Sequence, residues 1–215
     1  MPRYSPLDAR VRPGAAPPGV NGPFDGRRFA FAACGDHVTI YEWVRVLAPE
    51  RIECGDHVIV DDFVFIDGKG GARIGSYIHI AGFVSLIGGG RLELGDFSSI
   101  AAGSRIVSGT DAADGSGLVG PTIPLPLRNV HRGYVTIGEH AFVGTNVVVH
   151  PDVTIGEGAV VGSGSLVTRD IEPWTINVGT PARPIKERPR ETVLRLAEEL
   201  RASEPATGTA PGEPA

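Results

Sequence analysis

Histidine is the side chain best suited to move a proton near neutral pH, and this chain carries six. His79 draws attention because it falls five residues past Ile74, one of a regular series of aliphatic positions, and so on the outer surface of whatever that series builds. An exposed imidazole there could take a proton from a reacting group. The plain alternative is an ordinary surface histidine. Asp111 lies just beyond the same series and could orient such a base or hold a cationic group, or simply cap a loop turn. Asp62, beside Asp61, and His131 are candidates for holding a polar substrate, with a solvated corner as the alternative for the aspartates. His140 and His150 fall at outer positions further along the chain. Cys34 and Cys54 share the inward register, so neither is placed to act as a thiolate nucleophile. They are near enough for a disulfide in principle, but two buried free thiols are expected.

These side chains are carried by a repeat. Cys34-Gly35-Asp36, Cys54-Gly55-Asp56, Ile74-Gly75-Ser76 and Leu94-Gly95-Asp96 stand twenty residues apart, and Ile137-Gly138-Glu139 and Ile155-Gly156-Glu157 resume the pattern at eighteen. A finer beat of six places apolar residues at Ile74, Ile80 and Leu86, at Leu94, Ile100 and Ile106, and at Ile137, Val143, Val149, Ile155, Val161 and Val167. Three hexads make one triangular coil in which each side sends one aliphatic residue to the axis, and coils stack at the inter-strand spacing of about 4.8 Å. No coil can bury its own inward residues, so neighbours must supply the contacts. The fold class expected is all-β, a parallel β-helix of about six to seven coils. The first four repeats carry two extra residues at one corner, at Pro49-Glu50, within residues 68–71 and within residues 88–91, where Gly and Pro suit a widened turn. By this register His79 lies on the first face of its coil and Asp111 at the end of the third face of the next, so within one chain they need not meet.

Hydrophobic residues make up 41% of the sequence, enough for a sizeable core, and the continuous repeat favours one domain. The formal net charge of −5 offers no basic footprint, which argues against nucleic acid and acidic membranes as partners. No apolar run near the start reaches the length of a signal peptide or membrane span, so a cytoplasmic location is expected.

Residues 1–30, rich in Pro, Gly and Arg, are expected to form an arm or cap, with Phe29 and Phe31 able to close the coil end. The β-helix follows over 31–188. It is interrupted over 107–134 by a Gly-, Asp- and Pro-rich insertion of the kind that is often functional. Val193, Leu196, Ala197 and Leu200 repeat at helical spacing and predict a short helix within 189–202. Residues 203–215 read as a disordered tail.

The hexads, the stretch from Val160 to Ile171 and the sequence Gly179-Thr180-Pro181-Ala182-Arg183 resemble the left-handed hexapeptide-repeat acyltransferases and their coenzyme A end. Tyr77-Ile78-His79-Ile80-Ala81, Ile106 through Asp111, Pro121-Thr122-Ile123-Pro124, Pro173-Trp174-Thr175 and residues 184–188 are similar to nucleotide-sugar acyltransferases acting on 4-amino-4,6-dideoxyhexoses. The likeness covers residues 34 to 190. Left-handed winding and a homotrimer with sites between subunits are implications of this resemblance, since the hexad beat does not choose a hand.

The resemblance implies acetyl-CoA as acyl donor, no metal, and a nucleotide-linked amino-deoxy sugar as acceptor. Carried onto this chain, it puts Thr145 and Ser163 along the pantetheine arm and Thr168, Arg169 and Arg183 near the nucleotide end of coenzyme A. Small residues there let the backbone approach an extended ligand, and arginine suits phosphate. Relatives that acylate hydroxyls often carry a histidine near positions 109 to 112, where this chain reads Gly109-Thr110-Asp111-Ala112. That departure weakens the transfer of an O-acetyltransferase mechanism to this chain, while the resemblance favours His79 as the base. The alternatives are an O-acetyltransferase, a non-catalytic scaffold, and a zinc hydratase of the gamma carbonic anhydrase type, whose paired histidines at a four-residue gap His131, His140 and His150 do not reproduce.

Overall fold

The computed structural model describes residues 24–25 and 29–203. The expected arm over 1–30 and the tail over 203–215 therefore lie almost wholly outside the described residues. The remainder is a parallel β-helix of about seven turns with three faces.

One face, named here for Ile80, stacks Thr39–Ile40, Ile59–Val60, His79–Ile80, Ser99–Ile100, Phe142–Val143, Val160–Val161 and Thr175–Gly179 in parallel. Phe24–Asp25 closes its first edge and Ala182–Glu187 its last, both antiparallel. The Leu86 face runs from Arg45–Leu47 to Leu166–Val167, and the Ile74 face from Ala33–Cys34 to Val153–Ile155. Registers pair Ile80 with Val60 and Ile100, Leu86 with Ile66 and Ile106, and Ile74 with Cys54 and Leu94, so the twenty-residue beat is the coil length. His79 opens the strand of Ile80, one face later than its hexad register suggests, because each strand begins after the corner.

Ile40, Ile52, Ile66, Ile80, Leu86, Ile100, Ile106, Ile137 and Ile155 are almost completely buried. Each such side chain contributes about 1.5–3 kcal/mol of transfer free energy, drawn from the coils above and below. Phe29 and Phe31 stack on each other and pack against the first-coil end of this core. The widened corners carry tight turns at Pro49–Arg51 and Gly68–Gly70, the second capped by Asp67, whose Oδ1 accepts from the Lys69 amide at 3.2 Å.

Two corners carry aromatic ladders. Phe63, Phe83, Tyr77, Phe97, His140 and Trp174 all hold the left-handed backbone conformation that a sharp corner needs. Stacking with the residue one coil away offsets the cost of that conformation. His37, His57, Tyr77, Phe97 and His140 stack in turn at 4.5 to 5.1 Å between ring centroids. Gly158 then takes the corner. A Cβ at its φ of 64° would run into the ring of Trp174, which reaches across to His140. The helix α1, Glu191–Ser203, lies on this ladder through Val193, Leu196, Ala197 and Leu200, against Phe97 and His140. Arg201 sits over the Phe97 ring at 4.8 Å and within 3.6 Å of Asp96. The second ladder, Trp43, Phe63 and Phe83, is more than half exposed. No described helix is long and apolar enough to cross a membrane.

Candidate functional site

The wall around His79 is built from a strand start and a corner of small residues. Asp61, Ala81 and Ala101 occupy equivalent positions in successive coils, each amide bonding the carbonyl of the inward residue one coil on. The side chain of Asp61 reaches diagonally to His79, with Oδ2 3.0 Å from Nε2, and both groups remain open to solvent. From the next coil Ser99 Oγ donates to the His79 carbonyl at 3.3 Å. Asp62, expected as a substrate contact, accepts the Trp43 amide on Oδ1 at 2.9 Å and holds the start of the exposed aromatic ladder.

The insertion has a defined base. Gly109–Asp111 and Val130–Arg132 pair antiparallel, bringing Thr110 beside His131 and Asp111 beside Val130. Asp111 accepts from Arg128 Nε and Nη2 on Oδ1, at 3.0 and 2.6 Å, and from the Gly120 amide on Oδ2 at 2.8 Å. Only 11% of its side chain is exposed. The Gly120 amide first, and Arg128 after it, hold this carboxyl below the usual carboxylate range, against the opposing effect of burial. Its partners are thus loop groups, and the chain does not join it to His79. His131 Nε2 meets Asp152 Oδ2 of a later coil at 2.5 Å, forming a second imidazole–carboxylate pair on a different corner.

At the far end a cavity of about 270 Å³ is lined by Thr168, Arg169, Asp170, Thr175, Asn177 and Arg183, among others. It forms where the strand Ala182–Glu187 folds back over the last coil. Three residues expected near a nucleotide, Thr168, Arg169 and Arg183, thus share one cavity, and all three are exposed. Thr145 and Ser163 stack one coil apart at the corner above Ala102, both exposed, with the Thr145 carbonyl accepting from the Gly164 amide at 2.8 Å. A Cβ on Gly164 would meet nothing within 4 Å, so the corner is open there.

Burial changes the standing of other candidates. His140, expected at an outer position, is only 6% exposed beneath α1. Desolvation holds its imidazole below the usual value, with Glu139 opposing and Arg201 adding to the effect. Cys34 and Cys54 are paired in register without a disulfide between them, and burial pushes the Cys54 thiol up to about 12. A group with that pKa is almost never a thiolate at neutral pH. Among the described residues no group of three or more His, Cys, Asp or Glu is arranged to hold a metal ion.

Among the partnerships not anticipated from the residues are two at candidate site residues: Asp61 with His79, and Arg128 with Asp111. The first was within reach of the repeat, since a separation of eighteen is two short of one coil. The second depends on the path of an aperiodic loop and carries no signal in spacing.

The hexad-built prism thus carries two partly exposed imidazole–carboxylate pairs and an arginine-flanked cavity at its last coil. The family described as bacterial transferase hexapeptide (six repeats) matches residues 134–169. AntD, an N-acyltransferase from Bacillus cereus solved with dTDP-4-amino-4,6-dideoxyglucose and coenzyme A, is 34% identical with a TM-score of 0.79, over 85% of this chain and 98% of that one. Its complex with dTDP and 3-hydroxybutyryl-CoA matches equally, at 34% identity, TM-score 0.79, and the same coverage of 85% and 98%. The dTDP-4-amino-4,6-dideoxy-D-glucose acyltransferase of Escherichia coli is 37% identical over 86 residues, which are 40% of this chain and 45% of that enzyme. The chain therefore spans less than half the length of that curated relative. It belongs to the hexapeptide-repeat acyltransferase family, and the left-handed winding goes with that membership.

Proposed function

We propose that this protein transfers an acyl group from a coenzyme A thioester to the amino group of a nucleotide-linked amino-deoxy sugar. The observation that carries the reading is the likeness to AntD along 98% of that N-acyltransferase. The cavity at the last coil, with Thr168, Arg169 and Arg183, agrees with it. In this reading the nucleotide end of the donor lies in that cavity and its pantetheine arm passes the open corner of Thr145 and Ser163.

The neutral amine attacks the thioester carbonyl, forming the C–N bond, and coil-wall backbone N–H groups stabilise the oxyanion. The C–S bond then breaks and coenzyme A leaves as thiolate. The proton released by nitrogen passes to His79. Proximity of two bound reactants supplies most of the rate, and the Cys54 thiol takes no part because burial keeps it protonated. Asp111 holds the loop through Arg128, and His131 and Asp62 stand as candidate contacts to the sugar nucleotide. Homotrimeric assembly, with the site between subunits, acetyl as the acyl group, and a cytoplasmic setting belong to the same proposal.

Thiol release from acetyl-CoA with nucleotide-linked 4-amino and 3-amino sugars, against hydroxyl-only sugars, tests the reading. Release with amines alone is expected; release with alcohols alone overturns it. His79→Ala is expected to lower turnover by about 10², and light scattering is expected to return the mass of three 22.5 kDa chains.

A further inference from the structure

The imidazole of His79 has two nitrogens, and among the described residues only Nε2 has a side-chain partner within hydrogen-bond distance, Asp61. Asp61 reaches Nε2 at 3.0 Å from the coil below. The coil above presents Ser99, whose hydroxyl is turned to the His79 carbonyl rather than to the ring. The other neighbours on this wall, Ile59, Ala81 and Ala101, carry no charge, and Asp62 is turned to the Trp43 amide. A carboxylate accepts only, so the nitrogen it touches must carry a proton. Ala81 and Ala101 show that alanine suits the position that Asp61 occupies, so the coil does not require an acid there.

We propose that Asp61 is a positioning residue for His79, accepting a hydrogen bond from Nε2–H and thereby fixing the neutral ring with its lone pair on Nδ1. The inference rests on the acyl-transfer reading above. In the tetrahedral adduct the substrate N–H bond breaks and an Nδ1–H bond forms. The resulting imidazolium is then paired with the Asp61 carboxylate until Nδ1 returns the proton to water. Both side chains are partly exposed, at 48% for His79 and 35% for Asp61, so the pair is open to a substrate and to solvent.

The test uses the full chain and the variants Asp61→Ala, Asp61→Glu and His79→Gln. Histidine-ring nitrogen NMR, with His79→Gln assigning the signal, is expected to show an Nε2–H tautomer in the wild type that loses its bias in Asp61→Ala and recovers in Asp61→Glu. In kinetics, Asp61→Ala is expected to lower kcat about tenfold with KM for acyl-CoA unchanged. Asp61→Glu is expected to restore most of the lost kcat. An unchanged tautomer in Asp61→Ala overturns the proposal. A fully active His79→Gln also overturns it, while leaving N-acyl transfer standing. Absence of turnover with every amino sugar overturns the function reading instead. The NMR comparison needs no substrate and then decides the role of Asp61 alone: an Nδ1–H tautomer in the wild type refutes it.

Discussion

At the scale of single residues, the arginines at the last coil should separate binding from chemistry. Arg183 lines the cavity and, among the described residues, its guanidinium donates only to the neighbouring Ala182 carbonyl, from Nη1 at 2.8 Å, which leaves most of its donors for a phosphate. A charge-assisted contact of this kind is worth about 1.5–3 kcal/mol, or roughly tenfold or more in affinity. Arg183→Ala is therefore expected to raise KM for acetyl-CoA about tenfold, with kcat within a factor of two. The deficit should shrink as salt screens the wild-type contact. A fall in kcat at unchanged KM would place the guanidinium near the reacting carbonyl instead. Arg183 could be singled out in the sequence by its setting in Gly-Thr-Pro-Ala-Arg, whereas the role of Asp61 could not. Its neighbour Asp62 looks identical in composition and differs only in which side of a corner it leaves.

At the scale of elements, regular coils and the insertion obey different physics. The coils were legible because one aliphatic residue per hexad has no other place to go: Ile74, Ile80 and Leu86 are each at most 3% exposed. The insertion has no such repeated burial and is held by a few polar bonds, chief among them those of Asp111 to Arg128 and Gly120. Removing the carboxylate in Asp111→Ala leaves the guanidinium and the Gly120 amide without their acceptor. Amide exchange at Gly120 and proteolysis within 112–127 are expected to quicken, while exchange in the Ile80 and Ile100 strands stays slow. Equal acceleration in loop and coils would show that the insertion unfolds only with the whole prism. The aromatic ladders fall between these cases. Tyr77, Phe97 and His140 share a coil position across the insertion, but that they stack and receive α1 depends on a corner geometry that hydrophobic periodicity does not encode.

At the scale of the whole molecule, α1 ties the C-terminal end of the chain back to the middle coils, and its seat contains a titratable ring. His140 lies between Phe97 and Trp174, with Glu139, Glu157, Arg188 and Arg201 the charged groups around it. Its folded pKa is depressed, chiefly by burial, below the ordinary value of 6.5. The neutral ring's contribution is thus fully present above 6.5. As pH falls below that value the unfolded chain takes up a proton that the folded one resists, and stability declines until the folded pKa is passed. Asp111, also depressed, adds a second loss at lower pH, beginning below about 4, the value for a free aspartate. The expected record is a melting temperature that drops in two stages between pH 7 and pH 3. His140→Phe keeps an aromatic ring on the ladder and keeps the backbone carbonyl that Arg188 Nη1 bonds at 2.8 Å, yet cannot titrate. It should flatten the first stage and leave the second. A variant that melts with the wild-type profile would make the seat of α1 indifferent to pH.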